Sequence, residues 1–98
     1  MEIDKTGLRA FLDERQLQLF STADRCRCVV AAYLHLNGYP LASVGARWVV
    51  DFDSEKREVK SYDHPPWLRT FIARIDRLGK GDAVTGEAAL EVLDAVPA

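Results

Sequence analysis

The segment Ala42-Ser43-Val44-Gly45-Ala46-Arg47-Trp48-Val49-Val50-Asp51-Phe52 decides how the fold of this chain is interpreted. Alternation of apolar and polar side chains with a period of two is typical of a strand that is buried on one face only. The even-numbered positions of the segment carry most of its apolar side chains, which are Ala42, Val44, Ala46, Trp48, Val50 and Phe52. The sequence therefore predicts one long antiparallel strand over residues 42–52, with the Trp48 side directed toward the core.

A second strand completes a hairpin with this segment. Residues 53–56 are polar and typical of a turn, and Glu58 to Tyr62 can run back antiparallel to the first strand. Opposed charges such as Asp51 and Lys60 can then pair across the exposed face. Because a lone hairpin is marginal in water, we expect the apolar face of this one to pack on helices.

Two helices are predicted before the hairpin. The first spans about Gly7 to Glu14, with Thr6 as its N-cap. The second spans about Thr22 to Asn37, and from Val29 to Leu36 it is apolar nearly all round, which is typical of a helix buried on several sides. Between them, residues 16–20 alternate in polarity, so this segment is either extended or a continuation of the first helix. We favour a first helix that ends near Arg15, followed by an irregular link to Ser21.

Two further helices follow the hairpin. One spans about Pro66 to Leu78, because proline suits a first helical turn and the apolar residues after it recur at helical spacing. The other spans about Gly86 to Ala95, with Thr85 as its N-cap. The predicted order is ααββαα. It indicates a single α+β domain over residues 1–98, in which a small antiparallel hairpin sheet packs on the central buried helix and the two C-terminal helices.

The composition limits the classes of function. The chain has 98 residues, 48% of them hydrophobic and 29% charged, which is typical of a globular domain. Its net charge of −2 argues against nucleic-acid binding through the overall field. The chain has no stretch of signal-peptide or membrane-spanning type, so we expect a cytoplasmic protein that does not bind membranes. In that compartment Cys26 and Cys28 are expected to be reduced thiols.

Two stretches of the chain, taken together, resemble small uncharacterised proteins of bacteriophage and prophage type. One runs from Cys28 to Leu34 and continues through Gly38 to Val44-Gly45. The other runs from Pro66-Trp67-Leu68 through Ile75-Asp76 and on to residues 84–93. The shared residues are mostly core and cap residues. The resemblance implies an accessory protein of a phage or mobile element, and it implies no activity.

The soft metal ligands of the chain are Cys26, Cys28, His35 and His64. On a helix, Cys28 and His35 share a face, whereas Cys26 points away from both, so a closed zinc site lacks four converging ligands. A helix start would also lower the pKa of both thiols and favour thiol chemistry. The alternative is that Cys28 is a small core residue. We predict no cofactor and no catalytic residue, and keep a thiol or zinc site at Cys26, Cys28 and His35 as a further alternative.

The first alternative, ahead of the thiol or zinc site, rests on arginine. Arg69, Arg74 and Arg77, followed by Lys80, lie away from the apolar stripe of the Pro66–Leu78 helix. Guanidinium groups suit phosphate oxygens, so this face is a candidate for binding nucleic acid. A solvated helix face explains the same residues, with Asp76 diluting the positive charge.

The favoured hypothesis is a non-enzymatic module that binds another protein through the hairpin. The hairpin is expected to offer two unpaired strand edges, one of which could also form a homodimer. Tyr39 and Tyr62 lie beside predicted turns and are expected to be partly exposed, and exposed aromatic residues are favoured at interfaces. Trp48 and Trp67 are expected to be core anchors instead. The predicted partner-binding residues are Arg47, Asp51, Asp53, Glu58, Lys60 and Tyr62.

Overall fold

The computed structural model describes residues 3–97, which form four helices and five short strands. The α+β class is confirmed, with the four helices in the predicted order and the predicted hairpin between them. Of the three further short strands, one at residues 19–21 lies partly in the segment whose structure the sequence left open, one at 43–44 lies inside the predicted long strand, and one at 83–85 was not predicted. No helix among these residues is both long and apolar enough to cross a membrane. The elements in chain order are α1 Lys5–Asp13, β1 Leu19–Ser21, α2 Val29–Leu36, β2 Ser43–Val44, β3 Trp48–Phe52, β4 Glu58–Asp63, α3 Pro66–Gly79, β5 Ala83–Thr85 and α4 Gly86–Ala95.

The core lies between the helices and the inner side of the sheet. Leu8 and Leu12 of α1, Leu34 of α2, Phe71 of α3 and Leu93 of α4 are all at most 1% exposed. Full burial of such a side chain stabilises the fold by about 1.5–3 kcal/mol. These helices therefore account for most of the buried apolar surface, and the small sheet packs on them.

The predicted long strand over residues 42–52 is wrong. The chain reverses after Val44, and β2 pairs antiparallel with β3, with Ser43 opposite Val50 and Val44 opposite Val49. The Gly45 N–H donates to the Trp48 carbonyl oxygen at 2.8 Å, which closes the reversal. Strands β3 and β4 then form the expected second hairpin, so the sheet has the order β2-β3-β4.

This reversal also exchanges the two faces of the strand. Directly opposed residues of an antiparallel pair lie on the same side of the sheet. Because Val44 opposes Val49, the buried side changes from the even-numbered to the odd-numbered positions. Val49 is 1% exposed, whereas Trp48 is 50% exposed. The expectation that Trp48 is a core anchor is therefore wrong.

The first two helices are shorter or shifted relative to prediction. Helix α1 begins at Lys5, and its N-cap is Asp4 rather than Thr6, because the Asp4 carboxylate accepts from the N–H groups of Thr6 and Gly7. Helix α2 begins at Val29 rather than Thr22. In the preceding segment, the side chains of Ser21 and Asp24 accept from nearby backbone N–H groups, which gives the chain turns in place of helix.

Residues 16–20, whose structure the sequence left open, end in strand β1. This strand pairs antiparallel with β5 and not with the hairpin sheet. Helix α4 starts directly after β5, and the predicted N-cap is confirmed, since the Thr85 hydroxyl accepts from the Ala88 N–H at 3.1 Å. The predicted start of α3 at Pro66 is also confirmed.

Candidate functional site

The outer face of the three-stranded sheet is the side turned away from Val49. It carries Trp48, Val50 and Phe52 from β3, with Ser61 and Asp63 opposite Val50 and Trp48 on β4. Trp48 is 50% exposed, and Val50 and Phe52 are half-buried. A sheet side with three large apolar side chains in a row along its central strand is unusual for a solvated face. This row is suited to contact with another molecule.

The β4 edge of this sheet is open. In the β3–β4 ladder the His64 N–H donates to the Arg47 carbonyl at 2.9 Å, which fixes which residues face β3. Hydrogen-bonded pairs alternate in an antiparallel ladder. The backbone N–H and C=O groups of Ser61 and Asp63 therefore point away from β3, to a side on which residues 3–97 provide no further strand.

The other side of the sheet is closed, so the expectation of two unpaired hairpin edges is wrong. Strand β3 is central, and β2 covers one side of it. Beyond β2, the Arg25 carbonyl accepts from the Val44 N–H at 2.9 Å. The segment before α2 thus occupies the outer edge of β2. Only β4 offers a hairpin edge to a partner.

The six predicted partner-binding residues do not form one surface. Asp51, Lys60 and Tyr62 lie on the same side as Val49, because Asp51 opposes Lys60 and Val49 opposes Tyr62. They occupy the rim of the inner side, where the Lys60 ammonium lies 5.0 Å from the centre of the Tyr62 ring. Glu58 is on the opposite side, facing Phe52 across a bulge.

The other two predicted residues lie at the ends of the hairpin. Arg47 is exposed in the β2–β3 turn. Asp53 has a structural role in the β3–β4 turn, where one carboxylate oxygen accepts from the N–H groups of Glu55 and Arg57, both at 2.9 Å. Such side chain-to-backbone bonds are typical of turns. Asp53 is therefore engaged within the hairpin.

Trp48 is the surface residue that the sequence prediction missed. The signal that could have located it is Gly45, because glycine inside an alternating pattern often marks a bend or a close backbone approach. A side-chain Cβ at Gly45 would lie 3.3 Å from the Trp48 carbonyl oxygen. Placing a turn at Gly45 shifts the alternation and moves Trp48 to the outer face.

The residues predicted for a thiol or zinc site are divided between two cavities. Cys28 lines a cavity of about 230 Å³ between the start of α2 and helix α3. Cys26 and His35 line a second, mostly apolar cavity of about 350 Å³ beside Phe52. The His35 ring nitrogen Nε2 is 3.0 Å from the Ala42 carbonyl oxygen. Within residues 3–97, no three side chains of the metal-binding types come together.

The thiol of Cys28 differs from the predicted reactive type. Burial raises the pKa of Cys28, the N–H groups at the start of α2 oppose this rise, and the nearby Asp76 carboxylate adds to it. Burial also raises the pKa of Asp76. The expectation that the helix start lowers the pKa of this thiol is therefore wrong, because desolvation outweighs the helix N–H groups.

His64 is the buried polar residue of this region, at 4% exposure. Its ring nitrogen Nε2 lies 2.9 Å from the Gly45 carbonyl oxygen, and its Nδ1 has no hydrogen-bond partner among the described residues. A carbonyl only accepts, so Nε2 carries the proton. Burial lowers the pKa of His64, although the Gly45 contact opposes this change. The neutral ring thus fastens the end of β4 to the β2–β3 turn.

The arginine face of α3 is only partly free. Arg69, Arg77 and Lys80 are exposed. Arg74 donates to the Ala95 carbonyl oxygen at 3.3 Å, which directs it to the end of α4. None of Arg69, Arg74, Arg77 and Lys80 lines either of the two cavities described above. Nucleic-acid binding through this face stays a prediction.

Comparisons with known proteins add no family to this picture. No protein-family model matches the chain, and no significant match was found among curated proteins or among solved structures.

Proposed function

We propose that this chain is a non-enzymatic protein-interaction module that binds another polypeptide at the β4 edge and outer face of its three-stranded sheet. The observation that carries the proposal is the position of Trp48. It is half-exposed on the outer face, in line with Val50 and Phe52, and one strand away from an open backbone edge. Exposed tryptophan is among the residues most enriched at the energetic centres of interfaces.

The proposed mode of binding is strand addition. An incoming extended segment would bond to the backbone N–H and C=O groups of Ser61 and Asp63, and its alternate side chains would extend the outer face. The bulge opposite Phe52, together with Glu58 and Lys60, limits this pairing to the second half of β4. We therefore expect a short peptide segment with apolar residues at alternate positions.

The resemblance to phage-type proteins suggests that the partner is a host protein. That suggestion is separate from the surface argument, because any polypeptide with a suitable extended segment would satisfy the β4 edge. The role of a phage or mobile-element accessory protein stays a prediction that rests on the resemblance alone.

The test uses a displayed library of random 12-residue peptides selected on the wild-type protein. The substitution Ser61→Pro removes the outward N–H without removing a β3–β4 hydrogen bond, and Ser61→Ala keeps that N–H. Selected peptides should bind the Ser61→Ala protein normally. They should bind the Ser61→Pro and Trp48→Ser proteins at least about tenfold more weakly. Selected peptides that bind all four proteins equally, or a selection that yields no binders, would contradict the proposal.

A further inference from the structure

The mostly apolar cavity beside Phe52 lies at the opposite end of β3 from Trp48. Its volume is about 350 Å³, and Pro40, Leu41 and Phe52 supply much of its apolar wall. Leu41 is 42% exposed, so this wall is open to solvent. Sites for small molecules are concave and largely apolar, with a few polar groups that orient the ligand, and their volumes start at about 300 Å³. The cavity therefore has the size and lining of a site for a small ligand.

Hydrogen bonds fix the walls of this cavity. The His35 ring nitrogen Nε2 donates to the Ala42 carbonyl oxygen at 3.0 Å, which joins the end of α2 to the segment before β2. The Val44 N–H donates to the Arg25 carbonyl oxygen at 2.9 Å, which holds the segment containing Cys26 beside β2. Parts of the chain that are distant in sequence thus form a cavity that exists before any ligand binds.

The charge at this cavity is positive. Lys56 is the one lysine or arginine among the described residues that line it, and none of these residues is an aspartate or glutamate. The two carboxylates nearest to Lys56 in the chain are both engaged by Arg57, at 3.2 Å for Asp53 and 2.9 Å for Glu55. Within residues 3–97 the Lys56 ammonium therefore forms no ion pair, and a ligand that complements this cavity carries a negative charge.

The backbone of Lys56 adds to this argument. Its φ is +62°, in the left-handed region that glycine adopts without steric cost. The turn imposes this conformation, since the Lys56 N–H donates to the Asp53 carbonyl oxygen at 2.9 Å. Strained residues of this kind are concentrated at functional sites. Lysine is less favourable than glycine for the turn, and it supplies the positive charge at the cavity.

We propose that this cavity binds a small apolar monocarboxylate, such as a medium-chain fatty acid. Its hydrocarbon chain would lie against Leu41 and Phe52, and its carboxylate would pair with the Lys56 ammonium. Apolar contact supplies most of the affinity, and the ion pair selects a carboxylate over a neutral or cationic ligand of the same length. The inference does not rest on the proposed function, because the β4 edge and Trp48 are not part of this cavity.

The two cysteines allow binding to be located. Cys26 is exposed and lines this cavity, whereas Cys28 lines the other one. A bound ligand should therefore shield Cys26 from iodoacetamide and leave the reaction of Cys28 unchanged. The Cys28→Ala protein reports on Cys26, and the Cys26→Ala protein serves as the matched control.

The probe is octanoate, for which a Kd on the order of 1 mM is expected from its size. At about ten times the Kd, octanoate should slow alkylation of Cys26 by about tenfold, because only the free protein reacts. Octylammonium has the chain with the opposite charge, and acetate has the charge without the chain. Both should protect Cys26 much less. The proposal would be overturned by an unchanged rate at Cys26, by equal protection from octylammonium, or by equal slowing at Cys28.

Substitutions of Lys56 test the ion pair. Lys56→Gln should weaken octanoate binding by about threefold to fivefold, which is the scale of an exposed ion pair, and Lys56→Arg should retain binding. Lys60→Gln makes the same change of charge in the same hairpin outside the cavity, and should bind octanoate as the wild type does. Lys56→Gly should also weaken binding, yet unfold at a higher urea concentration than the wild type, which separates loss of the ligand from loss of the fold. Equal binding by the Lys56→Gln and Lys60→Gln proteins would overturn the assignment of the carboxylate to Lys56.

Discussion

Strands β1 and β4 are both edge strands, but they differ in the properties that control strand pairing. Strand β4 carries Glu58 and Lys60 and contains a bulge, which are the protections expected at a solvated edge. Strand β1 is shorter, and the segment before α2 covers its outer edge at Ser21, whose N–H donates to the Arg27 carbonyl oxygen at 3.2 Å. The β4 edge therefore offers outward backbone groups to a segment of another polypeptide, whereas the β1 edge is closed at Ser21.

The comparison also depends on how each edge is held in place. Strand β1 is fixed by close backbone packing of its preceding turn on the start of α4, through Gly86. Strand β4 is fixed at its end by the buried His64 ring. Each of these two attachments can be weakened separately, and the two faces of strand β3 give a third way to test the account.

The largest effect is expected from Gly86→Ala. The new Cβ would overlap the Arg15 backbone, which is rigid, so the turn and α4 must separate. We expect the free energy of unfolding to fall by about 3 kcal/mol, at the upper end for overpacking. Gly81→Ala is the control, because nothing lies within 4 Å of its Cβ position and only its φ of +78° opposes alanine. That change should cost about 1 kcal/mol. Urea unfolding that gives equal losses for both variants would contradict the close approach.

The second-largest effect on stability is expected from Val49, on the buried face of strand β3, compared with Trp48 on its outer face. Val49→Ala should lower the free energy of unfolding by about 2 kcal/mol, because it empties part of the core. Trp48→Ala removes a larger side chain and should cost less, since half of that side chain is exposed. Chemical denaturation of the two variants measures this order. A larger loss for Trp48→Ala would mean that Trp48 is a core residue, as the long-strand prediction has it, and is not part of the outer face.

A smaller effect is expected from His64 as the pH falls. The pKa of His64 is lowered in the folded state, so the unfolded chain binds more protons at mildly acidic pH. The stability linked to the neutral ring is complete above its ordinary pKa of about 6.5 and is lost as the pH falls from there toward the folded-state pKa. Thermal unfolding from pH 7.5 to 5 should show this decline.

The matched variant for that experiment is His64→Gln. Its amide can donate to the Gly45 carbonyl and does not titrate in this range, so its decline with pH should be shallower than that of the wild type. If the stability of both proteins declined equally with pH, protonation of His64 would not contribute to the pH dependence of the fold.

Much of the fold was predictable where one local signal dominated. Pro66 and the apolar spacing after it locate α3, and Thr85 locates the start of α4. Helix α2 was predicted too long, because the turns made by Ser21 and Asp24 compete with helix and depend on side-chain geometry. The strand over residues 42–52 failed for a different reason. Its alternation fits a single strand as well as a hairpin with a turn at Gly45, and only tertiary packing selects between them.

The candidate surfaces were less predictable than the fold. The hairpin was correctly identified as a strand pair. Its outward side chains were assigned to the wrong face, because the turn at Gly45 shifts the alternation by one residue. The alternation over residues 16–20 was visible in the sequence. Its exposure depends on contacts with Gly86 and Glu87, which lie about seventy residues away in the chain. Such long-range contacts leave no local pattern.

The most direct test of the difference between the two edges is amide hydrogen exchange, resolved by residue with NMR, with and without a peptide selected on the wild-type protein. The Ser61 N–H should exchange more slowly once the peptide is bound, because strand addition gives this group a hydrogen-bond partner. The Leu19 N–H should exchange at the same rate in both samples. Slower exchange at Leu19 with no change at Ser61 would contradict the account.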